Sequence, residues 1–167
     1  MTDALYTTPD NDDVDTASES PETVLNQLKS VISRKVRRAE IFIDVPERPG
    51  VKLLISPNIT QQQIRHWQKQ CGSDSKNGLD SIKFACTVIG HTTKGIYLNG
   101  VEVQENGFPL GFASPSVLEM TGAERAIPDC VSAFFGLDPH IESAALAIID
   151  AAGYGDTIEA EKENPTN

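Results

Sequence analysis

Residues 40–71 read EIFIDVPERPGVKLLISPNITQQQIRHWQKQC, and the period of their apolar positions decides the fold class. Ile41, Ile43 and Val45 alternate, Glu47-Arg48-Pro49-Gly50 has turn chemistry, and Val51, Leu53 and Ile55 alternate again. That pattern predicts a β-hairpin with one apolar face. Thr60 and Gln63 then have the spacing of a capping box, while Ile59 and Ile64 occupy the two positions of a hydrophobic staple. A helix over 61–71 follows, with Ile64, Trp67 and Cys71 on one face. Gly72 ends it, and residues 73–78 are a polar loop.

Towards the N-terminus, Ser20-Pro21 has the form of an N-cap with proline at the first helical position, and Val24, Leu25, Leu28, Val31 and Ile32 recur at helical spacing. This predicts a helix over 21–37 whose basic end, Arg34, Lys35, Arg37 and Arg38, complements the helix dipole. Towards the C-terminus, Leu79, Ile82, Ala85, Cys86 and Ile89 predict a buried helix stopped near Gly90, with Phe84, Thr87 and Val88 leaving a strand as the alternative. Asn99-Gly100 between Ile96-Tyr97-Leu98 and Val101-Glu102-Val103 is the signature of a tight hairpin. A loop over 107–113 leads to three helices, opened by Ser114-Pro115, Pro128 and Asp138-Pro139 and closed by Gly122, Gly136 and Gly153. In the last, Ile141, Ala144, Ala145, Ile148 and Ala152 form an apolar stripe. The expected fold is α+β: one small domain over 20–155 with two β-hairpins and about six helices, mostly helical in its C-terminal part. Residues 1–19 and 156–167 are expected to be disordered acidic tails.

The 167 residues are 39% hydrophobic, 23% charged and 6% aromatic, a globular composition that excludes collagen-like, coiled-coil and mucin-like classes. The net charge of −10 sits at the ends, because residues 23–155 carry as many bases as acids. An acidic protein with a neutral body disfavours sequence-independent nucleic-acid binding. No apolar window reaches the roughly eighteen residues of a membrane span, and the acidic start does not fit a signal peptide. Cys71, Cys86 and Cys130 are odd in number and irregular in spacing, so a reducing setting and buried free thiols are expected.

Little in the sequence carries chemistry. His66, Cys71, Cys86 and His91 have H-x4-C and C-x4-H spacing, but His66 and Cys71 would point in different directions from one helix, so no metal is expected. No nucleophile elbow, phosphate loop, dinucleotide fingerprint or zinc-protease motif occurs. Gly153-Tyr154-Gly155-Asp156 follows a helix instead of leading into one. Asp138 is expected as an N-cap two residues before His140, and Glu102 and Glu105 as solvated positions. No catalytic residue and no cofactor are expected, which shifts the balance toward a protein that works by binding another protein. Trp67, Phe134 and Phe135 fit either a core or an interface anchor.

Several runs, taken in order and spacing, resemble the tail assembly chaperones encoded by long-tailed phages of actinobacteria. They are Ile43-Asp44-Val45-Pro46-Glu47-Arg48-Pro49-Gly50-Val51, Asn58-Ile59-Thr60 leading to Trp67, Gly111-Phe112-Ala113-Ser114-Pro115, Met120-Thr121-Gly122-Ala123, and Phe134-Phe135-Gly136 followed by Ala151-Ala152-Gly153-Tyr154-Gly155-Asp156. The resemblance spans residues 40–156. It implies a non-enzymatic protein of the host cytoplasm that keeps the long helical tape measure protein soluble until the tail tube forms, without nucleic acid or membrane. Further partners it allows are a longer, frameshifted form of the same chain and additional copies of the chain itself. On that reading the partner interface would draw on Trp67, Phe134, Phe135, Ile141, Ala145, Ile148 and Tyr154, with the alanine-rich face of 139–152 covering tape-measure helices. The alternative is a structural virion protein of the tail tube or head–tail connector.

Overall fold

A computed structural model describes residues 19–155. The expected tails, 1–19 apart from Glu19 and 156–167, lie outside the described residues. The chain divides between Arg37 and Arg38 into two compact units, where the sequence suggested one domain over 20–155.

The first unit contains helix α1, Pro21–Ile32. Ser20 caps it by accepting a hydrogen bond from the Thr23 amide at 3.3 Å, and Pro21 takes the first position, as the sequence predicts. The helix stops five residues earlier than expected, so Arg34, Lys35 and Arg37 lie beyond its last turn, where only Lys29 supplies positive charge. Two local causes act together. The Ser33 hydroxyl donates to the Ser30 carbonyl at 2.8 Å, competing with helix continuation, and crowded like charges three or four residues apart oppose another turn.

The second unit is a two-layer α+β fold. Its strands β1 (Ile41–Asp44), β2 (Val51–Ile55), β3 (Thr93–Leu98) and β4 (Val101–Glu102) form one antiparallel sheet in the order β1-β2-β3-β4. The two expected hairpins therefore join, through pairing of Leu53 with Ile96 and Val51 with Leu98. Helices α2 (Gln61–Gln70) and α3 (Ser81–Thr92) connect β2 to β3. The capping box of α2 is present: Thr60 Oγ1 accepts from the Gln63 amide at 3.1 Å, and Gln63 Oε1 accepts from the Thr60 amide at 2.8 Å. Asp80, not Leu79, starts α3 by accepting from the Lys83 amide at 3.0 Å. The helix runs through Gly90, and Thr92 and Thr93 end it by donating to the Val88 and Ile89 carbonyls, each at 2.7 Å.

A further small ladder pairs β5 (Gln104–Glu105) with β6 (Phe108–Pro109), and β6 lies in the 107–113 stretch expected as loop. Its turn, Asn106-Gly107, has positive φ at both residues, 54° and 82°, like Asn99-Gly100 at 50° and 83°. Helices α4 (Pro115–Thr121), α5 (Pro128–Phe135) and α6 (Asp138–Ala151) complete the unit. Asp138 is the first residue of α6 and makes no capping bond, Leu137 standing at the N-cap in place of the expected aspartate.

One core joins Leu53, Ile55 and Ile96 of the sheet to Ala85, Cys86, Val88 and Ile89 of α3, Val131 and Phe135 of α5, and Ile141, Ala145 and Ile148 of α6. The small Ala144 and Ala145 side chains suit the packing of α6 against α3. All three cysteines are free and buried in this unit.

Candidate protein-interaction surface

The residues put forward as an interface are mostly core. Phe135, Ile141 and Ile148 are fully buried, and Ala145 and Trp67 nearly so. The stripe read as a docking face for a partner helix is already covered by α3 and α5, because an apolar stripe at helical spacing looks the same in sequence whichever neighbour covers it. Phe134 is half-buried with its ring edge-on to Phe112, centroids 5.2 Å apart. The Tyr154 hydroxyl donates to the Ile59 carbonyl at 3.0 Å. Five of the seven residues lie in the core, and Phe134 and Tyr154 are half-buried.

Among the described residues, the second face of the sheet is one of the surfaces that carry exposed apolar side chains. Register places Phe42, Leu54 and Gly95 in a row across β1, β2 and β3, and Lys52 opposite both Asp44 and Tyr97. These residues alternate with the buried Leu53, Ile55 and Ile96, so they point away from the core. Phe42 is 54% exposed and meets the Tyr97 ring edge-on at 5.1 Å. Tyr97 also covers Gly95, where a Cβ would stand 3.4 Å from the ring. Its hydroxyl donates to Glu102 Oε2 at 3.2 Å. Burial, then the charge and hydrogen bond of Glu102, hold the tyrosine above its usual pKa, so it stays neutral and keeps its donor. Ion pairs frame the aromatic centre: Lys94 with Glu40 at 3.0 Å, and Lys52 with Asp44 at 3.8 Å. The sequence signal for this face was present in Phe42 and Tyr97 at strand positions facing away from Ile41, Ile43 and Ile96.

The His–Cys constellation is spread over α2, its C-cap and α3. His66 is exposed on α2, and His91 stacks its ring on Trp67, centroids 5.4 Å apart and planes 11° apart. Cys71 Sγ lies 3.6 Å from Thr87 Oγ1 in the lining of an open cleft of about 380 Å³, with Gln70, Lys83, His91 and Arg125. Burial, reinforced by Asp138, Asp80, Asp129 and Cys71, pushes the Cys86 thiol up to about 12, which keeps it from being a thiolate nucleophile at neutral pH. Among the described residues no three His, Cys, Asp or Glu side chains gather where a metal ion could be held. His140 Nδ1 faces Glu47 at 3.9 Å, across from the hairpin turn. No helix of the described residues is long and apolar enough to cross a membrane.

Fold and surface together define a small two-layer α+β protein with an aromatic patch on the outer face of its sheet. No family model matches the chain, and no curated protein or solved structure matches it either.

Proposed function

We propose that this chain is a non-enzymatic tail assembly chaperone of a long-tailed phage, acting in the host cytoplasm by binding the tape measure protein and keeping it soluble. The observation that carries the binding part is the uncovered Phe42–Tyr97 face, an aromatic centre framed by the Lys94–Glu40 and Lys52–Asp44 pairs. That arrangement resembles the anatomy of a protein-binding patch, apolar at the centre and charged at the rim. The tape measure protein as partner rests on the resemblance of residues 40–156 alone. The buried α6 stripe no longer serves as the docking face.

Co-expression with the tape measure protein of the same phage tests the reading. The expected result is a soluble complex holding several copies of this chain, from a partner that is insoluble alone, and absence of this chain from purified virions. A chain that ignores the partner and is recovered in virions, or assembles rings or tubes by itself, would instead be the structural tail-tube or connector protein.

A further inference from the structure

Two cations, Lys83 on α3 and Arg125 in the connection between α4 and α5, line the open cleft of about 380 Å³ together with Gln70, Cys71, Thr87 and His91. No acid lines it, a local exception in a chain of net charge −10. Its volume lies at the small end of the range for ligand pockets. Lys83 has no ion-pair partner among the described residues. Arg125 is half committed: its Nε donates to Asp129 Oδ2 at 3.0 Å and its Nη2 to Oδ1 at 3.5 Å, while Nη1 takes no part in that pair.

An adjoining cleft shares Lys83 and Arg125 and does contain acids, Asp80 and Asp129. Both acids are engaged, Asp80 as the cap of α3 on the Lys83 amide and Asp129 on Arg125. The positive potential therefore falls on the side of Gln70, Thr87 and His91, where Gln70 adds neutral donors. The backbone beside Arg125 is strained. Ile127, between Arg125 and Pro128, stands at φ 67° and ψ −89°, a conformation foreign to a β-branched residue. Strain of this kind persists only where the surroundings over-determine it, and it clusters at ligand sites.

We propose that this cleft binds the oxyanion head of a small molecule, a phosphate or carboxylate group, with Lys83 as its principal anchor and Arg125 as the second cation. The inference does not rest on the chaperone reading.

Titration of the full chain with inorganic phosphate, and separately with succinate, tests it at constant ionic strength and about pH 8, where the histidines are neutral. Trp67, the only tryptophan, reports occupancy because His91 of the cleft lining stacks on it. The amide shifts of Lys83 and Arg125, followed by NMR in the same titration, give a second readout. A saturable change is expected with at least one probe, and the tighter one identifies the head group. Lys83→Gln should weaken binding about tenfold, the loss of one charge-assisted hydrogen bond. Asp129→Asn should tighten it by releasing the guanidinium, and Lys52→Gln on the sheet should leave it unchanged. No saturable change with either probe, equal affinity in the parent and Lys83→Gln, or an equal loss with Lys52→Gln would overturn the inference.

Discussion

The Ile127 side chain lies directly over the Cα of Gly90, so that a Cβ at position 90 would collide with its Cγ2 and stand 3.4 Å from its Cβ and 3.5 Å from Val131 Cγ2. Ile127 is itself held at φ 67°, unusual for a β-branched residue, by donating its amide to the Phe112 carbonyl at 2.9 Å. Alanine in place of a mid-helix glycine ordinarily gains up to about 1 kcal/mol of helix propensity. Overpacking here costs about 1–3 kcal/mol, which outweighs it. Gly90→Ala is therefore expected to lower the urea midpoint followed by Trp67 fluorescence. Ile127→Gly should remove most of that penalty in the double variant, and additive effects would show that the two residues do not share the space.

Arg48, at the turn of the first hairpin, caps a helix distant in sequence. Its Nε donates to the Phe134 carbonyl at 3.0 Å and its Nη2 to the Ala133 carbonyl at 3.2 Å, both in the last turn of α5. A cation at a helix C-terminus also complements the dipole. Arg48→Ala is expected to cost about 1–2 kcal/mol, the range for charge-assisted bonds on partly exposed groups. Arg48→Lys should recover only part of this, since one ammonium cannot reproduce the fork. An Arg48→Ala variant as stable as the parent in urea denaturation would show the bonds to be unimportant.

Signals local in sequence translated directly into structure. Thr60 with Gln63, Pro21, Pro115, Pro128 and Asn99-Gly100 act through neighbours a few residues away, so their elements stand where the sequence puts them. Tertiary neighbours decided the rest. Gly90 reads as a stop signal and is a contact point, because only the approach of Ile127 distinguishes the two. Ile141, Ala145 and Ile148 read equally as core or interface, and packing of α6 against α3 resolves them as core. Asn106-Gly107 carried the same hairpin signature as Asn99-Gly100, but its flanking strands, two residues each, were too short to show alternation.

His91 makes stability depend on pH. Desolvation where its ring lies on Trp67, and then the nearby His66, hold its pKa below the usual 6.5. The unfolded chain thus binds the proton more readily, and stability rises with pH wherever that difference exists. The contribution is whole above about pH 6.5 and is lost as the pH falls through that value toward the lowered one. The urea midpoint should drop between about pH 7.5 and pH 5.5, above the range in which most carboxylates titrate. His91→Gln should flatten the slope, and a slope unchanged in that variant would assign the effect to another group.

The outer sheet face separates binding from folding. Phe42 is more than half exposed and its ring touches Tyr97 outside the core, so Phe42→Ser is expected to change stability by about 1 kcal/mol or less, the loss of one edge-on aromatic contact. Leu53→Ser, one strand over on the buried side, should be severely destabilising because it leaves a hydroxyl in a fully apolar core. If the face binds the tape measure protein, Phe42→Ser should lose the soluble complex in co-expression while its denaturation curve stays near that of the parent. Full retention of the complex with both Phe42→Ser and Tyr97→Ser would move the partner away from this face. Loss of the complex only in step with loss of folding would mean that the aromatic pair is structural, because surface recognition and stability would then not be separable at these positions.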